Sequence, residues 1–345
     1  EFAVILRQNM DDEALSQYGE RIISVFELPY TEAGQQVNVT CSAGIASFPD
    51  DAPDMDALVS NADTAMYRAK ELGKNRCVRF DASMNQAMVR RQAIEQALRA
   101  ELEGGHGLAL HYQPLFSARD KALVGAEALL RWTHAELGNV SPLEAISVAE
   151  DCGLIVPLGY WVLRTACRDA SRWQGRHAHP LRVAVNISAR QLGDPQFLEQ
   201  VMDILRAEKL PADLLEIELT ETVLMENMEA GAYTLHRLSQ LGIHLAIDDF
   251  GTGYSSLAYL RQLPMRRLKI DRSFVRDLPA QEHSRKIVTA ILALAHGLGL
   301  EVTAEGVETL EQAEYLVEQG CDVLQGYAFA RPMPVQQFVE LQASH

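Results

Sequence analysis

The chain of 345 residues is poor in cysteine, in long apolar segments and in positive charge. Its five cysteines are an odd number without a Cys-x-x-Cys pair, which excludes a disulfide scaffold and is typical of thiols in a reducing cytosol. No apolar run approaches the roughly 18 to 20 residues that a membrane span requires. Nor does the sequence show a basic, apolar leader with a cleavage site, so we expect a cytoplasmic location and no membrane contact. The thiols are Cys41, Cys77, Cys152, Cys167 and Cys321.

The scarcity of basic residues gives a formal net charge of −16, from 31 Lys and Arg against 47 Asp and Glu. An acidic surface repels phosphate groups, so long nucleic acid is not an expected partner unless cations intervene. The sequence also lacks H-E-x-x-H and paired-cysteine patterns, which argues against zinc and against histidine-rich phosphohydrolases. The composition is otherwise that of a globular protein, with 48% hydrophobic residues, and the length favours two domains.

The first part of the chain, residues 1–80, has a mixed α+β pattern. We predict strands at residues 2–6 and 37–46, followed by a helix over residues 55–72 that ends at Gly73. Glycine suits that position because it adopts the left-handed conformation with which many helices end.

Residues 81–105 separate this part from the second part, residues 106–345. Apolar residues recur there at helical spacing, which predicts a connecting helix with one apolar stripe packed on a neighbour. The alternative, a dimerising coiled coil, would need more heptads. The stripe comprises Met84, Met88, Ile94, Leu98 and Leu102, and Gly104-Gly105 ends it.

From residue 106 onward, short β-rich runs alternate with longer amphipathic segments. Eight strands over roughly 240 residues match a TIM (β/α)8 barrel in number and size. Only residues 117–121 separate the first two strands, which is too short for a helical crossover, so we predict a modified barrel whose first strand pair is antiparallel. Strands are predicted at residues 108–115, 123–130, 181–187, 215–220, 245–249, 267–271, 301–304 and 323–326, and helices at 159–173, 196–208, 230–241, 284–298 and 310–319.

Polar residues lie at the ends of most of these strands, and in such barrels the active site is at the C-terminal mouth of the strands. Collected there, at least six carboxylates would share one cavity with a single lysine, and like charges at close range repel strongly. Divalent cations resolve this conflict, because Mg²⁺ and Mn²⁺ prefer carboxylate and amide oxygens. The residues concerned are Glu127, Arg131, Asn186, Glu216, Glu218, Glu221, Asp248, Asp249, Lys269, Asp271, Glu305, Glu308 and Gln325.

Each of these residues taken singly has an ordinary structural interpretation. A glutamate at a strand end usually pairs with a base, Asp248-Asp249 before a glycine loop is often a turn or a cap, and Lys269 could simply be the partner of one carboxylate. Independent structural roles, however, would not place oxygen ligands after most of the strands. The combination therefore predicts a divalent-metal site, and two cations about 3.5–4 Å apart would suit phosphodiester hydrolysis.

Eight motifs carry a family resemblance along this part of the chain. In order they are Tyr112-Gln113-Pro114, Glu127-Ala128-Leu129-Leu130-Arg131-Trp132, Asn186-Ile187-Ser188, Glu218-Leu219-Thr220-Glu221, Asp248-Asp249-Phe250-Gly251-Thr252-Gly253-Tyr254-Ser255-Ser256, Leu268-Lys269-Ile270-Asp271, Ala304-Glu305-Gly306-Val307-Glu308-Thr309 and Gln325-Gly326-Tyr327. Over nearly all of residues 106–341 the chain resembles the EAL-domain cyclic di-GMP phosphodiesterases.

The resemblance implies metal-dependent cleavage of one phosphodiester bond in cyclic di-GMP, giving linear pGpG, with two Mg²⁺ or Mn²⁺ ions in each active site. The implied metal ligands are Glu127, Asn186, Glu218, Asp248, Asp249 and Glu305. Lys269 would hold or polarise the attacking water, Glu308 and Gln325 would support the metal and water arrangement, and Glu221 would brace the loop after the fifth strand. The implied dinucleotide contacts are Gln113, Leu129, Arg131, Pro142, Asn186 and Asp271, with the Arg131 fork facing a phosphate.

Residues 1–80 resemble the C-terminal half of a second family, the GGDEF diguanylate cyclases. The motifs that carry this resemblance are Glu1-Phe2, Ser42-Ala43-Gly44-Ile45-Ala46, Asn61-Ala62-Asp63-Thr64-Ala65-Met66-Tyr67 and Ala69-Lys70-Glu71-Leu72-Gly73-Lys74-Asn75. The glycine pair and the first metal-binding strand of that family are absent from this sequence, so we expect no cyclase site. We also predict that this half-domain is poorly ordered or propped against the barrel.

Two other functions remain in competition with a phosphodiesterase that lowers the concentration of this bacterial second messenger. A catalytically silent receptor would bind cyclic di-GMP and relay the signal, although the intact ligand set argues against it. A magnesium-dependent lyase or isomerase of the enolase type would use similar carboxylates and Lys269, but the order of motifs is different. By resemblance we also expect a homodimer through the barrel, near the loop of residues 250–256.

Overall fold

The computed structural model describes residues 2–7, 10–27, 30–32, 35–37, 39–175, 179–226, 228–251 and 262–342. The chain divides into two compact units, Glu1–Ile94 and Glu95–His345. Their boundary falls inside helix α3, Ala82–Leu102, which is the helix that the apolar spacing predicts there. The domain limits drawn from the sequence at residues 80 and 105 stay predictions. Among the described residues, no helix is both long and apolar enough to cross a membrane.

The first unit contains α-helices and two small two-stranded sheets. The second helix begins at Asp54, whose side chain accepts a hydrogen bond from the Ala57 N–H, and Gly73 follows its end with φ of +107°. This is the left-handed helix end that the sequence predicts. The elements are α1 (Asp12–Phe26), the antiparallel strands β1 (Tyr30–Glu32) and β2 (Gln35–Val37), the parallel strands β3 (Ala43–Ile45) and β4 (Cys77–Arg79), and α2 (Met55–Glu71).

The strand predicted at residues 2–6 is wrong. Residues 2–7 have no regular secondary structure, and the side chains of Phe2, Val4 and Ile5 are exposed. In the described part of the chain, β3 and β4 pair only with each other, and no strand lies beside residues 2–7. An apolar run forms a strand only where a neighbour satisfies its backbone hydrogen bonds. Of the second predicted strand, residues 37–46, the structure has β3 and the last residue of β2.

The second unit is a closed barrel of eight strands, which confirms the fold predicted from the sequence. Its first strand pairs antiparallel with both of its neighbours, and the other seven strands run parallel. The barrel strands are β5 (Leu108–Ser117), β6 (Leu123–His134), β8 (Arg182–Asn186), β9 (Leu215–Thr220), β10 (His244–Phe250), β11 (Arg267–Ile270), β12 (Glu301–Ala304) and β13 (Val323–Leu324), with β7 (Gly138–Val140) and β14 (Met333–Pro334) at the edges.

Helices follow the strands and cover the barrel. They include those predicted from amphipathic spacing, each within about four residues of its expected ends. In chain order they are α4 (Pro142–Asp151), α5 (Ile155–Trp173), α6 (Ala189–Leu192), α7 (Phe197–Glu208), the 3-10 turn Ala212–Leu214, α8 (Glu221–Glu226), α9 (Met228–Gln240), α10 (Arg272–Val275), α11 (Glu282–Gly297), α12 (Leu310–Glu318) and α13 (Val335–Gln342).

An aromatic cluster packs the antiparallel strand β5 against two of these helices. The ring of Tyr112 lies edge-on to Trp173 of α5 at 4.9 Å, and Trp173 lies 4.6 Å from Phe338 of α13. The Tyr112 hydroxyl donates to Asp169 Oδ2 at 2.8 Å, which satisfies a polar group that would otherwise be costly to bury. The cluster holds β5 in place, and β5 carries Gln113 into the barrel.

Candidate active site

Lys269, near the end of β11, is the centre of a buried acidic cluster inside the C-terminal mouth of the barrel. Only 1% of its residue surface is exposed. Its Nζ lies 2.9 Å from Glu218 Oε2, 3.2 Å from Asp248 Oδ1, 3.5 Å from Glu127 Oε2 and 2.5 Å from Glu305 Oε1. Four strands therefore direct a carboxylate at one ammonium group.

Asp248 belongs to two groups of carboxylates that are each compact enough to hold one cation. In the first group, oxygens of Glu127, Glu218 and Asp248 all lie within 4.8 Å of one another. In the second group, oxygens of Asp248, Asp249 and Glu305 also lie within 4.8 Å of one another. The two groups share Asp248, so the arrangement can hold two neighbouring cations bridged by one carboxylate.

The local backbone explains how two successive aspartates join the same cluster. Neighbouring side chains on a regular strand point to opposite faces. Here the register of β10 against β11 shifts between Ile247 and Phe250, and Asp249 has φ of +53°. The Asp249 N–H donates to Asp248 Oδ1 at 3.0 Å. This irregularity allows both carboxylates to contribute, and the left-handed conformation is one that aspartate tolerates better than most residues.

Amide groups hold the carboxylate of Glu127 from two sides. Asn186 Nδ2 donates to Oε1, and Gln325 Nε2 donates to Oε2, both at 2.7 Å. The Gln325 amide also lies 3.1 Å from Gln113 Oε1, and Gln113 Nε2 lies 3.5 Å from the Ala330 carbonyl oxygen. Hydrogen bonds to a carboxylate favour its charged form and fix its orientation.

Burial and mutual repulsion raise the pKa of Glu218, Asp249 and Glu305. Burial is the larger cause throughout, with smaller contributions from neighbouring carboxylates. The pKa of Glu305 is raised to about 8 and that of Asp249 to about 6, while that of Glu218 is raised well above its ordinary range. Burial alone would lower the pKa of Lys269, but the surrounding carboxylates outweigh it and raise that pKa well above its ordinary value.

The donor set fits divalent cations of the Mg²⁺ or Mn²⁺ type. All of the candidate ligands are carboxylate or amide oxygens, which these ions prefer. Glu218 Oε1 is buried without a hydrogen bond from any described group. Among the described residues, Glu218 Oε2 and Glu305 Oε1 have only Lys269, which two other carboxylates share. Buried carboxylate oxygens left in this state are costly, and a cation would satisfy them.

The cluster contains five carboxylates, whereas the sequence predicts at least six. Glu221, the first residue of α8, instead accepts a hydrogen bond through Oε2 from the N–H of Gly251, the residue after β10, at 3.2 Å. Glu308 is exposed, and its backbone N–H donates to Gln312 Oε1. No contact among the described residues joins the Glu308 side chain to the cluster.

The residues expected to contact substrate lie on the elements around this mouth. Arg131 Nη1 donates to the Leu130 carbonyl oxygen at 2.7 Å, and Leu129 is half-buried. Pro142 begins α4, and Asp271 caps α10 by accepting from the Ser273 N–H. Residues 252–256 of the glycine-rich loop, near which a dimer contact is expected, lie outside the described residues.

A second ion-pair group lies one layer below the cluster. It contains Glu216, which the sequence predicts among the residues of the mouth, and Arg267, to which the sequence analysis assigns no role. Arg267 donates through Nη1 to Glu216 Oε1 and through Nη2 to Glu301 Oε2, each at 2.9 Å. Glu216 and Arg267 precede Glu218 and Lys269 by two residues on their strands. The period of two that brings Glu218 and Lys269 into the barrel therefore predicts this pair as well.

Comparison with known families gives two matches along the chain. Residues 92–332 match the EAL domain family, and residues 1–76 match the family described as diguanylate cyclase, GGDEF domain. The first match spans more than half of the chain and contains the whole acidic cluster.

Several curated relatives match almost the entire chain. It is 41% identical over 338 residues to the cyclic di-GMP phosphodiesterase PdeR of Escherichia coli (strain K12), covering 97% of this chain and 50% of PdeR. It is 40% identical over 337 residues to the cyclic di-GMP phosphodiesterase NbdA of Pseudomonas aeruginosa, covering 97% of this chain and 42% of NbdA. The chain therefore spans about half the length of these curated relatives, or somewhat less.

Solved structures resemble the second unit. The PaMucR phosphodiesterase in complex with c-di-GMP aligns with a TM-score of 0.68 and 42% identity, covering 71% of this chain and 99% of that one. The EAL domain of Mycobacterium smegmatis DcpA aligns with a TM-score of 0.59 and 38% identity, covering 70% of this chain and 97% of that one. Together with the acidic barrel mouth, these matches show that the chain belongs to the EAL domain family, and that its first residues are similar to a GGDEF domain.

Proposed function

We propose that the barrel hydrolyses one phosphodiester bond of cyclic di-GMP to give linear pGpG, using two divalent cations, Mg²⁺ or Mn²⁺. The observation that carries the proposal is the pair of acidic groups that share Asp248, because a doubly occupied carboxylate site suits phosphodiester hydrolysis. The relatives support the choice of substrate, since PdeR and NbdA are cyclic di-GMP phosphodiesterases and the PaMucR structure contains c-di-GMP.

The ligand set that we propose follows from the two groups. Bound cations would activate water and neutralise charge on the phosphate. Asn186 would contribute its carbonyl oxygen, because its nitrogen already donates to Glu127. The proposed ligands are Glu127, Asn186, Glu218, Asp248, Asp249 and Glu305.

Lys269 acts in this proposal as a hydrogen-bond donor and not as a base. Its raised pKa keeps the ammonium group charged at neutral pH, so Nζ can hold and polarise a water or a phosphate oxygen but cannot accept a proton. Gln325 and Asn186 orient Glu127 through its two oxygens. Glu221 braces the loop after β10 through the Gly251 N–H. Glu308 acts only in support of the metal and water arrangement.

The dinucleotide would lie across the mouth against Gln113, Leu129, Arg131, Pro142, Asn186 and Asp271. Arg131 is suited to a phosphate because its planar fork matches two phosphate oxygens.

We also propose that the barrel forms a homodimer, which light scattering can test. A monomer at high protein concentration would contradict the dimer.

The test is turnover of cyclic di-GMP by the purified chain with Mg²⁺ or Mn²⁺, followed by chromatography of pGpG, with a chelator in the parallel sample. The Glu127→Gln variant should lose about 100-fold or more in rate, because it removes a charged ligand and sets a new amide donor against the donors of Asn186 and Gln325. Glu199→Gln, an exposed change on α7, is the matched control. Tight binding of cyclic di-GMP without pGpG at saturating metal would contradict hydrolysis and favour a receptor.

A further inference from the structure

A cavity of about 410 Å³ lies at the opposite end of the barrel from the acidic cluster. Its walls come from the N-terminal ends of parallel strands β6, β8 and β10, from the 3-10 turn before β9 and from the C-terminal end of the antiparallel strand β5. Cavities of this volume hold small molecules of roughly mononucleotide size. We refer to it as the N-terminal cavity, and its lining includes Ser117, Leu123, Arg182, Asp213, Leu214 and His244.

Arg182, the first residue of β8, lines the N-terminal cavity with an uncompensated charge. Its side chain is half-buried, and it forms neither an ion pair nor a hydrogen bond with any residue that the structure describes. Arg267 nearby is different, since Glu216 and Glu301 neutralise it. A guanidinium group held in a cavity wall without a carboxylate is a ready partner for an anion.

His244 lines the same cavity as Arg182. The residue is 8% exposed, and its Nε2 lies 3.4 Å from Nη1 of Arg266. Burial, followed by the charges of Arg182, Arg266 and Arg267, lowers the pKa of His244 to about 4, so the ring is neutral at physiological pH. The ring can therefore donate or accept a hydrogen bond in the cavity while adding no charge of its own.

Carboxylates occupy the exposed rim of the same cavity. Asp120 and Asp213 both line it and are exposed, and Asp120 Oδ1 accepts from the Ala122 N–H. A bare anion gains nothing from these two groups. A ligand that carries hydroxyl or amino donors next to its anionic group would match both parts of the cavity.

We propose that the N-terminal cavity binds a small phosphorylated ligand that carries hydroxyl or amino donors, such as a sugar phosphate or a mononucleotide. The phosphoryl group lies against Arg182, and the donors face Asp213. The Arg182 guanidinium group suits a phosphate because it can pair with two of its oxygens. This site is separate from the acidic cluster and would give the barrel a second ligand, at the end not used for hydrolysis.

Calorimetry on the whole chain in the presence of a chelator tests this proposal without metal and without turnover. The probes are inorganic phosphate, ribose 5-phosphate, guanosine 5′-monophosphate and guanosine. We expect saturable binding of at least one of the two phosphorylated organic probes and none of guanosine. Equal affinity for the two would identify the sugar phosphate as sufficient, whereas tighter binding of the nucleotide would show that the base contributes.

Variants locate the binding site. Arg182→Ala should weaken binding about tenfold or more. Arg182→Gln should weaken it in the same direction if the first variant does not fold, and Arg206→Ala, an exposed change on α7, should leave it unchanged. The absence of saturable binding with every probe would overturn the proposal. Affinity that is unchanged in Arg182→Ala and lost in Arg131→Ala would also overturn it, because the ligand would then occupy the other mouth. Because no metal or cyclic di-GMP is present, neither result bears on the phosphodiesterase proposal.

Discussion

At Lys269 a single buried ammonium group faces four carboxylates, each with an oxygen within 3.5 Å of Nζ. The charge of Lys269 keeps part of this cluster ionised, and the raised pKa values of Glu305 and Asp249 show that it does not balance all of it. Lys269 and the carboxylates around it act on one another through their charges. Substitutions that keep the shape of a side chain and remove its charge therefore separate their roles.

Replacing Lys269 by methionine should abolish turnover and destabilise the protein in the absence of metal. The change removes the only ammonium group within 4.0 Å of these carboxylates in the described part of the chain and leaves them buried together. Thermal melting with chelator should show a lower Tm than the wild type, and saturating Mn²⁺ should recover much of the loss because cations replace the missing charge. A variant as stable as the wild type in chelator would contradict this account.

His244 should make stability depend on pH on the acid side. Its folded-state pKa of about 4 lies below its ordinary value of 6.5, because burial and Arg182, Arg266 and Arg267 oppose its charge while Glu301 favours it only weakly. The native state therefore binds fewer protons than the unfolded state between these values, and the contribution of His244 is present above pH 6.5 and is lost as pH falls toward 4. Urea unfolding of His244→Gln should show a flatter decline over this window than the wild type. Parallel declines would refute the assignment.

Among the elements, the barrel strands and most helices could be predicted because their patterns are local. Buried strands are short apolar runs, amphipathic helices repeat every three to four residues, and a five-residue connection does not allow a crossover between parallel strands. The polar residues Glu127, Glu218 and Lys269 could be assigned to one mouth because strands of the same direction end on the same side.

Other elements depend on contacts that no local pattern contains. Residues 2–6 have the composition of a strand, but their conformation depends on whether another strand lies beside them. The alternation rule places Asp248 and Asp249 on opposite faces, and only the irregularity at the end of β10 brings both into the cluster. The N-terminal cavity likewise depends on residues from five strands or turns that are far apart in sequence.

The ion pair that joins β9 and β11 supplies a prediction about the strands themselves. Arg267→Met leaves the carboxylate of Glu216, which is 1% exposed, without its partner. The cost should be about 3–5 kcal/mol of unfolding free energy, measured by urea denaturation. The double variant Arg267→Met, Glu216→Leu should recover most of this loss, since two apolar groups can replace a buried pair.

The control for this experiment is an exposed pair on the same barrel. Arg206 and Asp203 pair on the surface of α7, with 71% and 52% of their side chains exposed. Arg206→Ala should change stability by no more than about 1 kcal/mol. Equal losses in Arg206→Ala and Arg267→Met would show that burial does not set the cost.

At the scale of the whole molecule, the two units differ in how many neighbouring strands hydrogen-bond to each strand. Each strand of the barrel has a neighbour on both sides, whereas the first unit contains only two-stranded sheets among its described residues. Sheets of two strands are marginally stable on their own, and Phe2, Val4, Ile5 and Phe48 expose large apolar side chains.

Hydrogen exchange should therefore be faster in residues 1–80 than in the barrel strands. Amides of β8–β12 should exchange through global unfolding. Amides of β3 and β4 should exchange through local opening, which requires a smaller free energy. Mass spectrometry of peptides after timed exchange measures both at once. Protection of residues 1–80 equal to that of the barrel would contradict the prediction.

We expect the acidic mouth to hold two divalent cations, one at each of the two carboxylate groups that share Asp248. The test is the manganese content of the chain after equilibration with Mn²⁺, together with electron paramagnetic resonance to detect spin coupling between the ions. We predict two coupled Mn²⁺ ions per wild-type chain, loss of the coupled signal in Asp248→Ala, and its retention in Asp120→Ala at the opposite end of the barrel. A single uncoupled ion, or a coupled pair that survives Asp248→Ala, would contradict the account.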